Sequence, residues 1–185
     1  MTVLDCAALT GCRASLELLE RLTYTRDELV ARLPALRTAA GVRQLAVLST
    51  CQRTELYVAW ADQPDRERLV AALAADRDLP VEQVRAAVTW WRGDTAVRHL
   101  FRVTSGLESF VLGETEVIGQ VRTAAQAART AGVCAGELDA LLRAAVSAAR
   151  RVHRETSFVQ AGRSVGSAAI DAAAAWWAGS FAANH

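Results

Sequence analysis

The stretch LAVLSTCQRTELYVAW, residues 45–60, sets two apolar runs on either side of a short polar break. Residues 43–50, RQLAVLST, read as a short buried strand, and residues 55–60, ELYVAW, alternate and predict another. Cys51 stands in the break, between Thr50 and the pair Gln52-Arg53, and not inside the strand where free cysteines usually pack. A thiol at the C-terminal end of a strand faces a sheet edge, where ligands of open α/β sheets bind, and Arg53 two residues on carries the charge that stabilises a thiolate. These residues alone leave two readings open, a buried structural cysteine and a nucleophile.

Working outward, TVLDCAAL (2–9) predicts a first strand. Between it and RQLAVLST lie two helical segments. SLELLERL (15–22) starts at Ser15, an N-cap residue, and TRDELVARLPAL (25–36) opens with the capping-box pair Thr25 and Glu28. Downstream, PDRERLVAALAADRDL and PVEQVRAAVTWWRG both read as helices, with Pro64 and Pro80 near their first turns, and Asp94 is the expected cap of TAVRHLFRVTSG. The second half reads as almost wholly helical. Residues 117–131 end at Gly132, and from Glu137 the positions Leu138, Leu141, Leu142, Ala145, Ala149 and Val152 form an apolar stripe. A last small-residue segment, SVGSAAIDAAAAWWAGSF, carries Trp176-Trp177, which either closes a helical core or marks a partner surface. The glycine-punctuated residues 106–119 form the expected joint, too apolar for a flexible linker. The expected fold class is therefore α+β: a small βααββ-type sheet subdomain with the cysteine loop over residues 1–105, then a mostly helical subdomain over 106–185 that completes the site.

Composition narrows the chemistry. With 185 residues, 52% of them hydrophobic, the chain can bury a core without staples. Cys6, Cys12, Cys51 and Cys134 form no CxxC pair and, with His99, His153 and His185, give no zinc spacing, so no metal is expected and free thiols in a reducing cytoplasm fit best. Asp5 near the start, with no basic segment before an apolar run, argues against a signal peptide, and no apolar stretch reaches membrane-spanning length. A net charge of +1 excludes a uniformly basic nucleic-acid binder but allows a local basic face. All 21 basic residues are arginine, which excludes Schiff-base chemistry on lysine and a Walker-type lysine.

The letters around the cysteine say more. LSTCQRTELY (48–57) resembles the LSTCNRTE signature of glutamyl-tRNA reductases. RHLFRVTSGLESFVLGETEVIGQVRTAAQAARTAG (98–132) resembles that family's second signature, HLFRVASGLDSxVLGExQILGQVK, and LLRAAVSAARRVHRETSF with SVGSAAIDAA is similar to the helices that follow. Matching blocks cover most of residues 4–173 in order. The resemblance implies that Cys51 takes the glutamyl group of glutamyl-tRNA as a thioester, which hydride from NADPH releases as glutamate-1-semialdehyde for tetrapyrrole synthesis. It implies that Arg53 pairs with the substrate carboxylate, that Thr50, Ser109, Glu114 and Gln120 take part in substrate binding, and that His99 polarises the carbonyl or moves a proton. By residue type alone, Arg53 also reads as a solvated turn arginine, His99 as a hydrogen-bonded packing residue, and Ser109 and Glu114 as turn closers. Arg143, Arg150, Arg151 and Arg154 share one side of the long helix, either a solvated face or a contact for tRNA phosphates.

The chain also departs from that family. No GxGxxG turn occurs before His185, so no cofactor is expected to be bound by this chain, and NADPH enters only if a missing domain or a partner supplies its site. The ending AWWAGSFAANH does not read as an interrupted linker, and a short natural protein is expected. Gln52 replaces the signature's asparagine, and Cys12, in GCRAS, stands where the family's NHxTA element has its histidine. Three functions follow from these observations: the parent reductase activity, with the reduction step supplied by a missing domain or a separate reductase partner, a stand-alone acyltransferase passing an aminoacyl group from Cys51 to an amine, hydroxyl, water or acceptor protein, and a non-catalytic tRNA-binding or regulatory relic. All three make aminoacyl-tRNA the expected partner, and an oligomer stays open.

Overall fold

The computed structural model describes residues 4–109 and 112–156; the Trp176-Trp177 pair and the SVGSAAIDAA segment lie outside them. Its elements run β1 (Leu4–Thr10), α1 (Leu16–Leu22), α2 (Arg26–Ala40), β2 (Val42–Ser49), β3 (Arg53–Trp60), α3 (Arg66–Asp76), α4 (Val81–Ala87), β4 (Thr89–Arg92), α5 (Asp94–Thr104), α6 (Glu116–Thr130) and α7 (Gly136–Glu155). The architecture is α+β, with the βααββ opening expected from the sequence.

The quoted stretch forms a hairpin. β2 and β3 pair antiparallel, and β1 pairs antiparallel with β3 on one side and β4 on the other, giving the order β2-β3-β1-β4. Every pairing is antiparallel, so Cys51 does not sit at the carboxyl edge of an open α/β sheet; it sits at the tip of a strand-to-strand turn. β3 is also covered on both faces, all eight of its residues being buried despite the alternation of ELYVAW. Opposite faces of β3 meet different helices: the Thr54 hydroxyl donates to the Leu22 carbonyl of α1, while Glu55 meets His99 of α5. The outer edge of β2 is closed by the loop before α7, where the Leu45 amide donates to the Val133 carbonyl at 3.0 Å. One continuous core of buried side chains runs from Cys6 to Ala145.

One predicted helix is partly strand. PVEQVRAAVTWWRG gives α4 only as far as Ala87; Thr89–Arg92 joins the sheet beside β1. A β-branched and aromatic run suits a pleated surface, and β1 had a free edge to pair with, so tertiary pairing overrode continuation of the helix. The next boundary also moved. Asp94 is the first residue of α5 and Gly93 its cap, while the Thr95 hydroxyl bonds the amide and carbonyl of Arg92.

The other caps are formed as read. Ser15 Oγ accepts from the Leu18 amide, and at α2 the Thr25 hydroxyl accepts from the Glu28 amide while the Glu28 carboxylate accepts from the Thr25 amide at 2.8 Å. Thr25→Ala removes one side of that box and is expected to lower stability by about 1 kcal/mol. Urea unfolding should show the midpoint falling with an unchanged slope.

Candidate active site

The cysteine turn is held by its own threonine. The Thr50 amide donates to the Arg53 carbonyl at 2.9 Å, and Thr50 Oγ1 accepts from the amides of Gln52 (3.1 Å) and Arg53 (3.2 Å). A hydroxyl that takes two amides closes a tight turn, and the residue at its crest, Cys51, is left exposed. A second loop is fixed against it, because the Gly11 amide donates to the Gln52 carbonyl at 3.2 Å. Between these loops and residues 108–109 opens a cavity of about 660 Å³, into which Cys51, Arg53, Cys12, Gln52 and Ser109 contribute, with Leu16 and Leu19 as apolar wall.

The loop with Ser109 needs Gly106. Its φ is +78°, and a Cβ there would lie 3.0 Å from the Glu114 carbonyl oxygen and 3.1 Å from the Gly113 Cα. Only glycine permits both the left-handed backbone and this close approach.

Behind the cavity wall lies a buried polar cluster centred on Glu55. Its Oε1 accepts from Arg53 Nη1 at 3.1 Å and lies 3.0 Å from His99 Nε2, while Oε2 accepts from the Tyr57 hydroxyl at 2.6 Å. Arg53 also donates through Nη2 to the Glu108 carbonyl. Burial pushes the Glu55 acid upward, but the His99 hydrogen bond and charge, helped by Arg53 and Tyr57, outweigh it and hold the carboxyl below its usual range. Burial, followed by the Glu55 charge, drives the neighbouring Tyr57 and Cys6 the other way, so both stay protonated. His99 stacks on Trp91 with ring centroids 3.8 Å apart.

The structure thus brings Cys51, Arg53 and Ser109 to one cavity. Arg53 is only 8% exposed, so it is not a solvated turn arginine. Thr50 shapes the turn and does not line the cavity. His99 does not line it either; buried at 5% exposure, it reaches the cavity only through Glu55 and Arg53. Gln120 lines a separate cavity of about 430 Å³ with Tyr24, Ser49 and Glu116, and Glu114 is half-buried beside Gly106 and lines neither. Sequence reasoning left Glu55 without a role. The available signal was a carboxylate in an otherwise apolar strand, which buried charge does not occupy unpaired.

A family model described as the N-terminal domain of glutamyl-tRNA(Glu) reductase matches residues 8–156. The chain belongs to the glutamyl-tRNA reductase family. A "Glutamyl-tRNA reductase 2" of Nocardioides sp. is 46% identical over 174 residues, covering 94% of this chain and 39% of that protein. A glutamyl-tRNA reductase of Alcanivorax borkumensis is 40% identical over 143 residues, covering 77% of this chain and 34% of its own length. Among solved structures, the glutamyl-tRNA reductase from Methanopyrus kandleri superposes with a TM-score of 0.72 at 32% identity, over 92% of this chain and 39% of that one. The chain therefore spans less than two fifths of the length of these relatives.

Within this N-terminal domain of the glutamyl-tRNA reductase family, Cys6, Glu55 and His99 place ligand atoms within 4.8 Å of one another. The donor chemistry does not suit a metal ion. The Glu55 oxygens already take three donors, one of them the cation of Arg53, and the thiol of Cys6 is held protonated by burial. No helix among the described residues is long and apolar enough to cross a membrane.

Proposed function

We propose that this chain forms an aminoacyl thioester on Cys51 from glutamyl-tRNA, the first half of the glutamyl-tRNA reductase reaction. The observation that carries the reading is the exposed sulfur at the crest of a rigid turn, in one cavity with a guanidinium held by the buried Glu55 carboxylate and the Glu108 carbonyl. In the step itself the Cys51 thiol gives up its proton and the thiolate attacks the ester carbonyl carbon, the carbon–oxygen bond to the terminal ribose breaks, and the departing ribose oxygen takes up one proton in place of the one the thiol lost, leaving as the tRNA hydroxyl. Arg53, oriented by Glu55 and the Glu108 carbonyl, offers a fixed donor to the substrate's side-chain carboxylate, and the Ser109 hydroxyl offers a second polar contact on the facing loop. His99 acts on this arrangement through Glu55, keeping the carboxylate ionised and hence the guanidinium in place.

Nicotinamide supplies a hydride where the family's reduction is complete, and the described residues do not fit such a dinucleotide. With all pairs antiparallel there is no strand, crossover helix and parallel strand to present a helix N-terminus to a pyrophosphate. In this reading reduction to the semialdehyde for tetrapyrrole synthesis requires a further domain or a partner protein. The same thioester could instead be passed to an amine or hydroxyl, because the cavity is open.

Incubation with glutamyl-tRNA is expected to add one glutamyl mass to the intact protein, and peptide mapping to place it on Cys51 and not on Cys12, which lines the same cavity. Absence of any adduct would leave the RNA-binding relic as the better account. Once the adduct exists, release on adding an amine but not on adding NADPH with a reductase partner would favour transfer over reduction.

A further inference from the structure

Helices α6 and α7 are joined by a short connection and run antiparallel, leaving between them a groove of about 400 Å³. Its walls are arginine: Arg122 and Arg129 from α6, and Arg143, Arg150, Arg151 and Arg154 from α7. On α7 these positions fall on one face over the twelve residues 143–154, a row of about 16 Å at 1.5 Å per residue step. Such a row exceeds the reach of a single phosphate.

The charges are unevenly compensated. Arg129 and Arg143 each reach the buried carboxylate of Asp139 at 2.7 Å, and Arg151 and Arg154 share Glu155. Arg122 and Arg150 have no hydrogen-bond or ion-pair partner among the described residues, and both are exposed. Six guanidinium groups thus face two carboxylates in a chain whose net charge is only +1. Like charges one turn apart, as Arg150 and Arg154 are, destabilise a helix by a few tenths of a kcal/mol, about 0.2–0.5 per pair. An anion in the groove removes that repulsion, and the planar guanidinium fork matches phosphate oxygens in pairs.

The groove is also tied to the cysteine cavity. His153, next to Arg154, places Nε2 3.0 Å from the Ser105 carbonyl, at the root of the loop that carries Ser109 to the cavity. We propose that the α6–α7 groove is an RNA-backbone surface, gripping consecutive phosphates of the tRNA whose aminoacyl end is delivered to Cys51. This assignment rests on the glutamyl-tRNA reading of the cavity and adds where the body of the RNA lies.

The test is equilibrium binding of an uncharged glutamate tRNA transcript to the 185-residue chain, followed by fluorescence anisotropy across a salt series. Affinity should fall steeply with salt. The Arg122→Gln/Arg150→Gln double variant should bind about tenfold more weakly near 0.1 M salt and lose about one unit of log–log salt slope per arginine removed. Arg122→Lys/Arg150→Lys should keep the slope, and Ser147→Glu, which sets a carboxylate in the groove, should weaken binding as well. Unchanged affinity and slope in both the glutamine and glutamate variants would overturn the proposal. So would displacement of the RNA by inorganic phosphate or a polyglutamate peptide at equal ionic strength, since the groove would then be a general anion site. Uncharged tRNA cannot acylate Cys51, so its binding reports on the groove alone; groove-dependent RNA binding together with no adduct from glutamyl-tRNA defeats the thioester reading alone, and an adduct from glutamyl-tRNA while the groove variants bind normally defeats the groove alone.

Discussion

Cys51→Ser is expected to abolish the glutamyl adduct, with a loss on the order of 10³-fold or more in acylation rate. A serine hydroxyl is not ionised near neutral pH, and the groups that could activate it are engaged elsewhere: the Glu108 carboxylate, which lines the cavity, accepts from Arg102, and His99, the histidine of the second signature, is occupied at Glu55 behind the wall. The fold should not change, because Cys51 is exposed and its turn is held by Thr50 and backbone bonds. Thermal unfolding within about 0.5 kcal/mol of the parent protein, together with no mass shift, is the expected pair of results. A persistent adduct in the serine variant, mapped to Cys12, would move the nucleophile across the cavity and refute the assignment.

Glu55→Leu should have the largest effect on stability. It would leave Arg53 buried without its carboxylate, the Tyr57 hydroxyl without an acceptor, and His99 without its partner. Removing one member of a buried ionic cluster costs about 3–5 kcal/mol, because the remaining charge stays desolvated. In a domain of this size that corresponds to a fall in Tm of about 10 °C. Calorimetry on a set with Glu55→Gln, which keeps the shape and one acceptor, should place glutamine between the parent and leucine. A leucine variant as stable as the parent would refute the structural role of the cluster.

The pH dependence follows with a definite sign. The folded carboxyl of Glu55 lies below its usual value, so its contribution is fully present above the unfolded pKa, about 4.3. It is lost as pH falls through the lower folded pKa. The parent protein should therefore lose stability in acid more steeply than Glu55→Gln, which has no proton to take up at this position.

Much of this molecule was legible in short range. Ser15, Thr25 and Glu28 announced their helices because a cap is made by residues three apart, and the apolar runs around Cys51 announced two strands because a strand's signal lies in a few consecutive residues. The signature around Cys51 placed the nucleophile candidate, and the structure gives the physical reason for its position: the crest of a two-strand turn is where a thiol can stand exposed and still be rigid.

What the sequence determined by itself, then, was the α+β class, the order of most elements, and the family-type cysteine turn. What only tertiary structure decided was how separate segments meet. TWWR became strand because β1 offered an edge; Glu55 became the centre of a cluster by meeting His99, 44 residues away, and Arg53 reached the Glu108 carbonyl 55 residues on. Arginines on two helices became one groove only when α6 and α7 packed. Local hydrogen bonds and periodic burial leave a pattern within a few positions of the chain. A buried carboxylate's partners leave none, since any donor that folding brings within about 3 Å will satisfy it.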